Sequence, residues 1–221
     1  MPAVHSPKPH RPPPQVSKYP SDPFKPVPYT SEIAQRWGRH YLAEDQRSAA
    51  RRPDVLVYQS APLKQDLTIA GPLEANLYFS TDQSDADVIV KLIDVNPDKL
   101  RGWTDHDNDA DAGKRDYGGQ QTLVRGEPSR ARFRDGYATP KALTPNEIAP
   151  IKFALNDVLH TFKRGHRIMV QVQSSWFPLT DRNPQTFGDI PNAKPSDFVK
   201  ATQRVFTGGP DGSRIELMLL P

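Results

Sequence analysis

From residue 54 onward, the chain is a series of short runs of β-branched and aromatic residues separated by glycine, proline, asparagine and aspartate. In several runs apolar and polar positions alternate, so that Ile168, Val170 and Val172 share one side of an extended segment. Ten runs fit a strand pattern: DVLVYQ (54–59), DLTIA (66–70), LEANLYFS (73–80), ADVIVKLIDV (86–95), TLVRG (122–126), RARFR (130–134), IAPIKFAL (148–155), HRIMVQVQS (166–174), QRVFT (203–207) and RIELMLL (214–220).

The spacing of these runs predicts an all-β fold. Parallel neighbours need a crossover connection of a dozen or more residues, usually a helix, and most intervals here are too short for one. The strands are therefore expected to be antiparallel and to bury their apolar sides between two sheets. We expect residues 53–221 to form an antiparallel two-sheet β-sandwich of jelly-roll type.

The N-terminal region has a different character, since 10 of the 24 prolines lie in the first 28 residues. Proline fixes φ and lacks an N–H group, which excludes a helix or a central strand there. Residues 1–18 are predicted to be a disordered proline-rich tail. Residues 19–29 are predicted to be an extended strap lying on a neighbouring surface, because they carry four large apolar residues: Tyr19, Phe24, Val27 and Tyr29.

A short or broken helix is predicted within residues 31–51, which contain no proline. Ile33, Trp37 and Tyr41 recur at a spacing of four, which places them on one helical stripe. Residues 19–52 therefore form one predicted unit, a strap followed by a short helix.

Charge separates the same two regions. Residues 1–52 carry nine Lys and Arg against four Asp and Glu, whereas residues 53–221 carry 20 against 22. The net charge of +3 thus comes from the N-terminal extension. Phosphate neutralisation supplies most nucleic-acid affinity, so a near-neutral folded body argues against a nucleic-acid partner.

Other composition features exclude several classes of site. The chain has no cysteine, which excludes disulfides and thiolate metal sites. It has no apolar run of 18 residues, so no membrane span is expected, and its first 14 residues lack the apolar stretch of a secretory signal. These features leave the compartment unknown.

No catalytic motif is recognisable. No serine is flanked by the glycines of a G-x-S-x-G elbow, and the P-loop, G-x-G-x-x-G and H-E-x-x-H motifs are missing. Ser174, His160 and Asp157 could be combined as a triad by residue type alone. We interpret them instead as polar residues at strand ends, and we predict no catalytic residue and no cofactor.

One acidic loop invites comparison with a calcium site. Aspartates alternate from Asp105 to Asp111, as at the start of an EF-hand loop. That loop requires glycine at its sixth position and glutamate at its twelfth, where this chain has Ala110 and Asp116. A solvated loop is favoured, and cation binding is left open.

Two further clusters admit binding roles. Arg130, Arg132 and Arg134 would share one face of a predicted strand and could hold an anionic partner, although pairing with nearby aspartates is favoured. Trp103 and Trp176 could stack on sugars or peptides, which makes a stand-alone binding module the alternative function. Packing in the core or at a domain interface is favoured for Trp176.

Six segments, taken in order, resemble one known family: SDPFKPVPY (21–29), EDQRSAARRPDVLVYQSAPLKQDLTIAGPLEANLYFST (44–81), DADVIVKLIDVNPD (85–98), GGQQTLVRGEPSRARFR (118–134), DVLHTFKRGHRIMVQVQSSWFPLTDRNPQTF (157–187) and SDFVKATQRVF (196–206). Together they are similar to the C-terminal domain of the α-amino-acid ester hydrolase and cocaine esterase (CocE/NonD) group. The X-Pro dipeptidyl-peptidases share this domain, and the resemblance covers residues 19–221.

The resemblance implies a non-catalytic jelly roll that completes a serine hydrolase. In such enzymes the triad belongs to an α/β-hydrolase domain upstream of the strap, so no catalytic position carries over to this chain. The implied partner is that hydrolase domain, whose substrates are amino-acid esters, related amides or X-Pro peptides. A truncated gene, a frameshift or a split reading frame would each separate the two domains, and the choice among them is left open, with residues 19–52 as the link from the hydrolase domain. Homo-oligomer contacts are also implied, and relatives are often exported.

The segment SSWFPLTDRNP is the predicted docking surface. Pro178 forbids continuation of the strand, so aromatic residues arrive at its end beside an arginine. Aromatic residues and arginine are enriched where surfaces bury against each other. Without a partner this patch is expected to be exposed; its residues are Trp176, Phe177, Pro178, Arg182 and Asn183.

Overall fold

The computed structural model describes residues 15–31, 39–99, 117–209 and 212–220 of the 221. Nine strands are present in this part of the chain: β1 (Gln15–Ser21), β2 (Val55–Gln59), β3 (Leu67–Thr81), β4 (Asp87–Val95), β5 (Gln121–Arg130), β6 (Ala149–Phe162), β7 (Arg167–Gln173), β8 (Ala201–Thr207) and β9 (Arg214–Glu216). The helices there are short: α1 (Arg47–Ala50) and three 3-10 turns, Arg39–Leu42, Ala131–Phe133 and Pro195–Asp197. None of the described helices is long and apolar enough to cross a membrane.

The strands form two sheets, and every neighbouring pair is antiparallel. The first sheet has the order β1-β8-β3-β6, with β9 pairing along β3, and the second has the order β2-β7-β4-β5. The chain passes back and forth between the sheets, because β1, β3 and β6 alternate with β2, β4 and β7. The predicted all-β two-sheet sandwich is confirmed.

The main core lies between the sheets and follows the alternation of the sequence. Leu77 and Phe79 of β3 point inward, and so do Val172 of β7 and Val205 of β8. Successive side chains of a strand point to opposite faces, so one alternating run supplies one wall of this core. Phe162, at the end of β6, is also fully buried against it.

Strand β4 is buried on both faces. Its even-numbered apolar residues join the main core, whereas Ile89 and Ile93 belong to a second cluster on the outer face of the second sheet. Tyr29 of the strap and Tyr41 pack on this second cluster. The continuous run VIVKLI has no alternation because both of its faces are covered, one by the first sheet and the other by the N-terminal segment.

Several predicted boundaries are wrong. Residues 15–18, assigned above to the disordered tail, begin β1 and pair with β8. The runs DLTIA and LEANLYFS are one strand, β3, whose register with β6 shifts between Pro72 and Glu74. Gly71 adopts a φ of +94° beside this bulge, a backbone conformation that L side chains rarely adopt.

The run RARFR is not a strand. β5 ends at Arg130, and a 3-10 turn follows over Ala131–Phe133. The turn forms because Ala131 N–H donates to the carbonyl of Ala86 and the Arg132 guanidinium is drawn inward to Asp85. The three arginines therefore do not share one strand face.

Two more expectations need adjustment. The run RIELMLL pairs continuously only over Arg214–Glu216, with an isolated bridge from Leu219 to Ile69. In the described part of residues 31–51, the helical segment is broken into Arg39–Leu42 and α1. Ile33 and Trp37 lie outside the described residues.

Phe79→Ala is expected to lower the free energy of unfolding by about 3–5 kcal/mol, because it opens a cavity in the main core. Leu159→Ala is the control, since Leu159 on β6 is 76% exposed and should change stability by less than about 0.5 kcal/mol. Urea denaturation with an unchanged m-value measures both effects. Equal losses for the two variants would contradict the assignment of this core.

Candidate docking surface

The end of β7 and the strap are joined by backbone hydrogen bonds. Phe177 N–H donates to the Val27 carbonyl at 2.9 Å, and Tyr29 N–H donates to the Phe177 carbonyl at 2.8 Å. Val27 N–H also donates to Ser175 Oγ at 2.8 Å. The strap therefore lies on its own sandwich, alongside the residues that follow β7.

Trp176 lies beneath this strap rather than on the surface. Only 3% of Trp176 is exposed, and its ring packs nearly perpendicular to the Tyr41 ring, with 5.6 Å between the ring centroids. Tyr41 in turn packs on Tyr29 at 5.6 Å. The expectation that Trp176 would be exposed is wrong, because aromatic residues of the same chain cover it. A buried ring cannot stack on a sugar, and Trp103 lies outside the described residues.

Lys91 is buried under the same cover and is 1% exposed. Its Nζ lies 4.7 Å from the centre of the Trp176 ring and donates to Gln46 Oε1 at 3.0 Å. Burial lowers the pKa of Lys91 to about 7, and the nearby charge of Glu44 opposes this shift. Sequence analysis missed Lys91 as a buried residue. The feature that could have indicated its burial is its position in the middle of a continuous apolar strand.

The outward-facing part of the predicted surface centres on Phe177 and Arg182. Phe177 is 38% exposed, and Pro178 is exposed beside it. The Arg182 guanidinium lies 5.6 Å from the Phe177 ring centre and 5.0 Å from that of Phe198. It also donates to the Pro23 carbonyl at 3.2 Å. An arginine held close to two aromatic rings is pre-organised for contact with another surface.

These residues border a shallow groove of about 340 Å³, which we call the aromatic groove. Phe24 from the strap faces Phe198 across it, with ring centres 6.1 Å apart. The remaining lining is largely small and apolar. The aromatic groove is defined by nine residues: Phe24, Phe177, Asp181, Arg182, Ile190, Pro191, Ala193, Pro195 and Phe198.

Asn183 has an internal role in this chain. It is 5% exposed, and its Nδ2 donates to Asp85 Oδ2 at 3.0 Å and to Asp87 Oδ1 at 2.8 Å. The Arg132 guanidinium also donates to Asp85 Oδ2, at 2.8 Å from Nε. This network fastens the long 177–201 segment to the start of β4, so the expected exposure of Asn183 is also wrong.

Asp87 is perturbed within the same network. Burial raises the pKa of its carboxyl to about 7, although Arg130 at 3.6 Å and the Asn183 amide act in the opposite direction. Arg130 and Arg132 thus pair with aspartates, while Arg134 donates to the carbonyls of its own loop. Sequence reasoning missed Asp85 and Asp87 because their partners lie 43 to 98 positions away in the chain.

The three residues that could form a triad by residue type each form hydrogen bonds with other residues instead. Ser174 Oγ lies 2.9 Å from the Tyr19 hydroxyl. His160 Nε2 lies 2.9 Å from Asp94 Oδ2, and His166 Nδ1 lies 2.9 Å from Asp94 Oδ1. The Asp157 carbonyl accepts from Arg125. No hydrogen bond joins Ser174, His160 and Asp157 to one another, so the part of the chain seen here gives no support for this triad.

No group of three metal-ligating side chains occurs within residues 15–31, 39–99, 117–209 and 212–220. The acidic loop from Asp105 to Asp111 lies outside these ranges.

The fold and its sequence match one family over most of their length. The profile of the X-Pro dipeptidyl-peptidase C-terminal non-catalytic domain matches residues 8–216. The chain belongs to this family. Its match includes the strap as well as the sandwich, which agrees with the packing of the strap on the second sheet.

Individual relatives of this non-catalytic domain are longer enzymes. The cocaine esterase of Rhodococcus sp. (strain MB1 Bresler) is 29% identical over 90% of this chain and 31% of its own length. A crystal structure of an aminopeptidase from a marine-sediment Thaumarchaeota archaeon is 43% identical, with a TM-score of 0.83, over 94% of this chain and 33% of that one. An α-amino acid ester hydrolase structure is 42% identical, with a TM-score of 0.84, over 93% and 32%.

The chain therefore spans about a third of the length of these relatives. It is a non-catalytic C-terminal domain of the type found in CocE/NonD-like hydrolases.

Lys91→Met is expected to raise the free energy of unfolding near pH 7, by a margin that shrinks toward pH 10. The folded pKa is about 7, whereas an unfolded lysine titrates near about 10.4. Between these two pH values the unfolded chain binds more protons than the folded chain, so the free energy of unfolding of the wild type rises with pH. The methionine variant has no such rise, so the difference between the two proteins shrinks. Guanidinium denaturation at a series of pH values measures the margin.

Lys18→Met is the control, because Lys18 is an exposed lysine on β1. Its effect on stability should stay constant over the same pH range. A constant margin for Lys91→Met as well would show that Lys91 is not buried as a titrating group.

Proposed function

We propose that this domain packs on the α/β-hydrolase catalytic domain of a serine hydrolase and helps to shape its active-site cleft. The catalytic domain would act on α-amino-acid esters or amides, or on X-Pro peptides. The sandwich described here contributes no catalytic residue in this proposal. It serves as a platform for the catalytic domain and supports oligomer contacts.

The observation that carries the proposal is the extent of the relatives. Each of three named enzymes contains this sandwich as about a third of a longer chain. Two of them are 42% and 43% identical to this chain, which supports a shared role as well as a shared fold.

The aromatic groove is the surface that we assign to docking. Phe24 and Phe177 are 55% and 38% exposed, although phenylalanine side chains are usually buried in folded proteins. Buried aromatic residues and arginine contribute most of the binding energy in typical interfaces. Trp176 and Asn183 would act from beneath: Trp176 supports the strap, and Asn183 holds the segment that carries Arg182.

The geometry also suggests how docking would be stabilised. The Arg182 guanidinium is already held between two rings and a carbonyl, so little side-chain entropy remains to be lost on binding. The Val27 amide and carbonyl and the Tyr29 amide are already hydrogen-bonded beside Phe177, so these groups are not open to a partner. An aromatic contact with a fixed cation fits the polar-rimmed apolar patch of a domain interface.

The test is reconstitution with a catalytic domain of known structure. The archaeal aminopeptidase is 43% identical to this chain over the domain that the two share. This chain would be mixed with the remaining N-terminal two thirds of that aminopeptidase. We expect a one-to-one complex by calorimetry. We also expect turnover of a p-nitrophenyl ester or an X-Pro-anilide by the complex, and none by this chain alone.

Phe177→Asp should weaken the complex by more than about tenfold, since a central aromatic contact typically contributes 2 kcal/mol or more. Leu159→Asp is the matched control, because it introduces the same charge at a residue that is 76% exposed on β6, outside the aromatic groove. Equal effects of the two variants would reject the assignment of the surface. Phosphonate-sensitive ester turnover by the isolated chain would reject the platform role itself.

A further inference from the structure

A second cavity lies between the two sheets, at a different place from the aromatic groove. Its volume is about 350 Å³, and its floor consists of four core residues, Leu77, Leu92, Val172 and Val205. The walls come from β7 and from the segment that contains β9, and they are also aliphatic: Ile168, Val170, Ile215 and Leu217. The two sheets thus leave a space where a sandwich would normally be filled.

The space is partly open to solvent, yet it is larger than the gaps usually left between packed sheets. Interiors are close-packed, and few voids exceed one water molecule. A volume of 350 Å³ equals that of roughly a dozen liquid waters, at about 30 Å³ each. Water is poorly retained among aliphatic walls, because each molecule needs two or more polar partners. The space therefore suits an apolar molecule of about ten non-hydrogen atoms.

The lining is mainly apolar, and its polar residues are Tyr58, Thr207, Ser213 and Arg214. The Tyr58 hydroxyl of β2 is buried and forms no hydrogen bond of good geometry with the described residues. Burial raises the pKa of Tyr58, and a side-chain interaction with Ser17 of β1 acts in the opposite direction. A buried hydroxyl that lacks a well-formed hydrogen bond is unfavourable, and an oxygen atom of a ligand would supply an acceptor for it.

Charge in the lining lies at its exposed end. Arg214 is exposed and pairs with Glu216 at 2.8 Å. The buried floor, by contrast, contains only hydrocarbon side chains. Moving an ionised group onto such a floor is strongly unfavourable, so the lining selects against a charged ligand.

We propose that this cavity binds a neutral aliphatic molecule of about ten non-hydrogen atoms that carries one oxygen acceptor. The hydrocarbon chain occupies the space over Leu77, Leu92 and Val172, and the oxygen accepts a hydrogen bond from the Tyr58 hydroxyl. The ligand class is that of medium-chain ketones, esters and alcohols.

The experiment is a titration of the full chain with 2-nonanone, followed by methyl NMR of Ile, Leu and Val. The largest shifts are expected for methyl groups of the cavity floor and walls, with saturable binding. Octanoate has a similar length but carries a charge, and it should bind at least about tenfold more weakly. Shifts spread over the surface, no saturation, or equal affinity for octanoate would overturn the proposal.

Tyr58→Phe tests the hydroxyl, since it removes one oxygen and leaves the ring in place. It should weaken 2-nonanone binding by about fivefold, equivalent to about 1 kcal/mol for one hydrogen bond. Binding of propylbenzene, which has no acceptor, should not weaken. Tyr78→Phe is the matched control on β3, because Tyr78 does not line the cavity, and it should leave both affinities unchanged. Equal behaviour of the two tyrosine variants would overturn the role of Tyr58.

Val170→Phe tests the space independently of the hydroxyl. Val170 is a half-buried wall residue, and the larger ring should occupy part of the volume and abolish saturable binding of both ligands. Its thermal unfolding, measured in parallel, verifies that the variant is folded. Undiminished binding to a folded Val170→Phe variant would place the ligand elsewhere and overturn the proposal.

Discussion

The packing of the N-terminal segment on the outer face of the second sheet is the contact on which the rest of the structure depends. β4 is apolar on both faces, and only one face can be buried by the first sheet. Tyr29 and Tyr41 bury the other face, together with Trp176, and the strap is fixed there by its hydrogen bonds to Phe177. Without this cover a wide apolar area and a lysine would meet solvent in the middle of the sheet.

The cover also decides which residues remain available to a partner. It buries Trp176 inside the domain, whereas Phe177, the next residue of the chain, points outward. Phe24, in the middle of the strap, then borders the aromatic groove with Phe198. The same segment that completes the core therefore builds one wall of the candidate docking surface. The intersheet cavity is separate, since its walls come from β7 and the segment around β9.

Alternation in the sequence was sufficient to predict the sandwich and much of its core. In β7, Ile168, Val170 and Val172 point to the main core as the pattern indicates. The pattern could not reveal what covers the opposite faces, because a strap of the same chain and a separate domain favour the same aromatic residues. For that reason core packing and domain-interface packing both stay possible for Trp176 from the sequence, and the structure buries it beneath the strap of its own chain.

Long-range polar pairing was equally hidden. The arginine-rich run after β5 alternates like a strand, yet Arg132 turns inward to meet Asp85, 47 positions earlier. The first residues of β1 follow six prolines and resemble a tail, yet β8 supplies a partner nearly 200 positions away. Local sequence carries the period of a strand, but the partner that stabilises it lies elsewhere in the chain.

Amide hydrogen exchange tests the central contact most directly. If the strap is an integral part of the domain, the Tyr29 and Phe177 amides should exchange within about tenfold of the Val90 and Leu92 amides in β4, because all of them open in one cooperative unit. Exchange of Tyr29 and Phe177 more than about a hundredfold faster than β4 would contradict the account, since the strap would then detach while the sandwich stays folded.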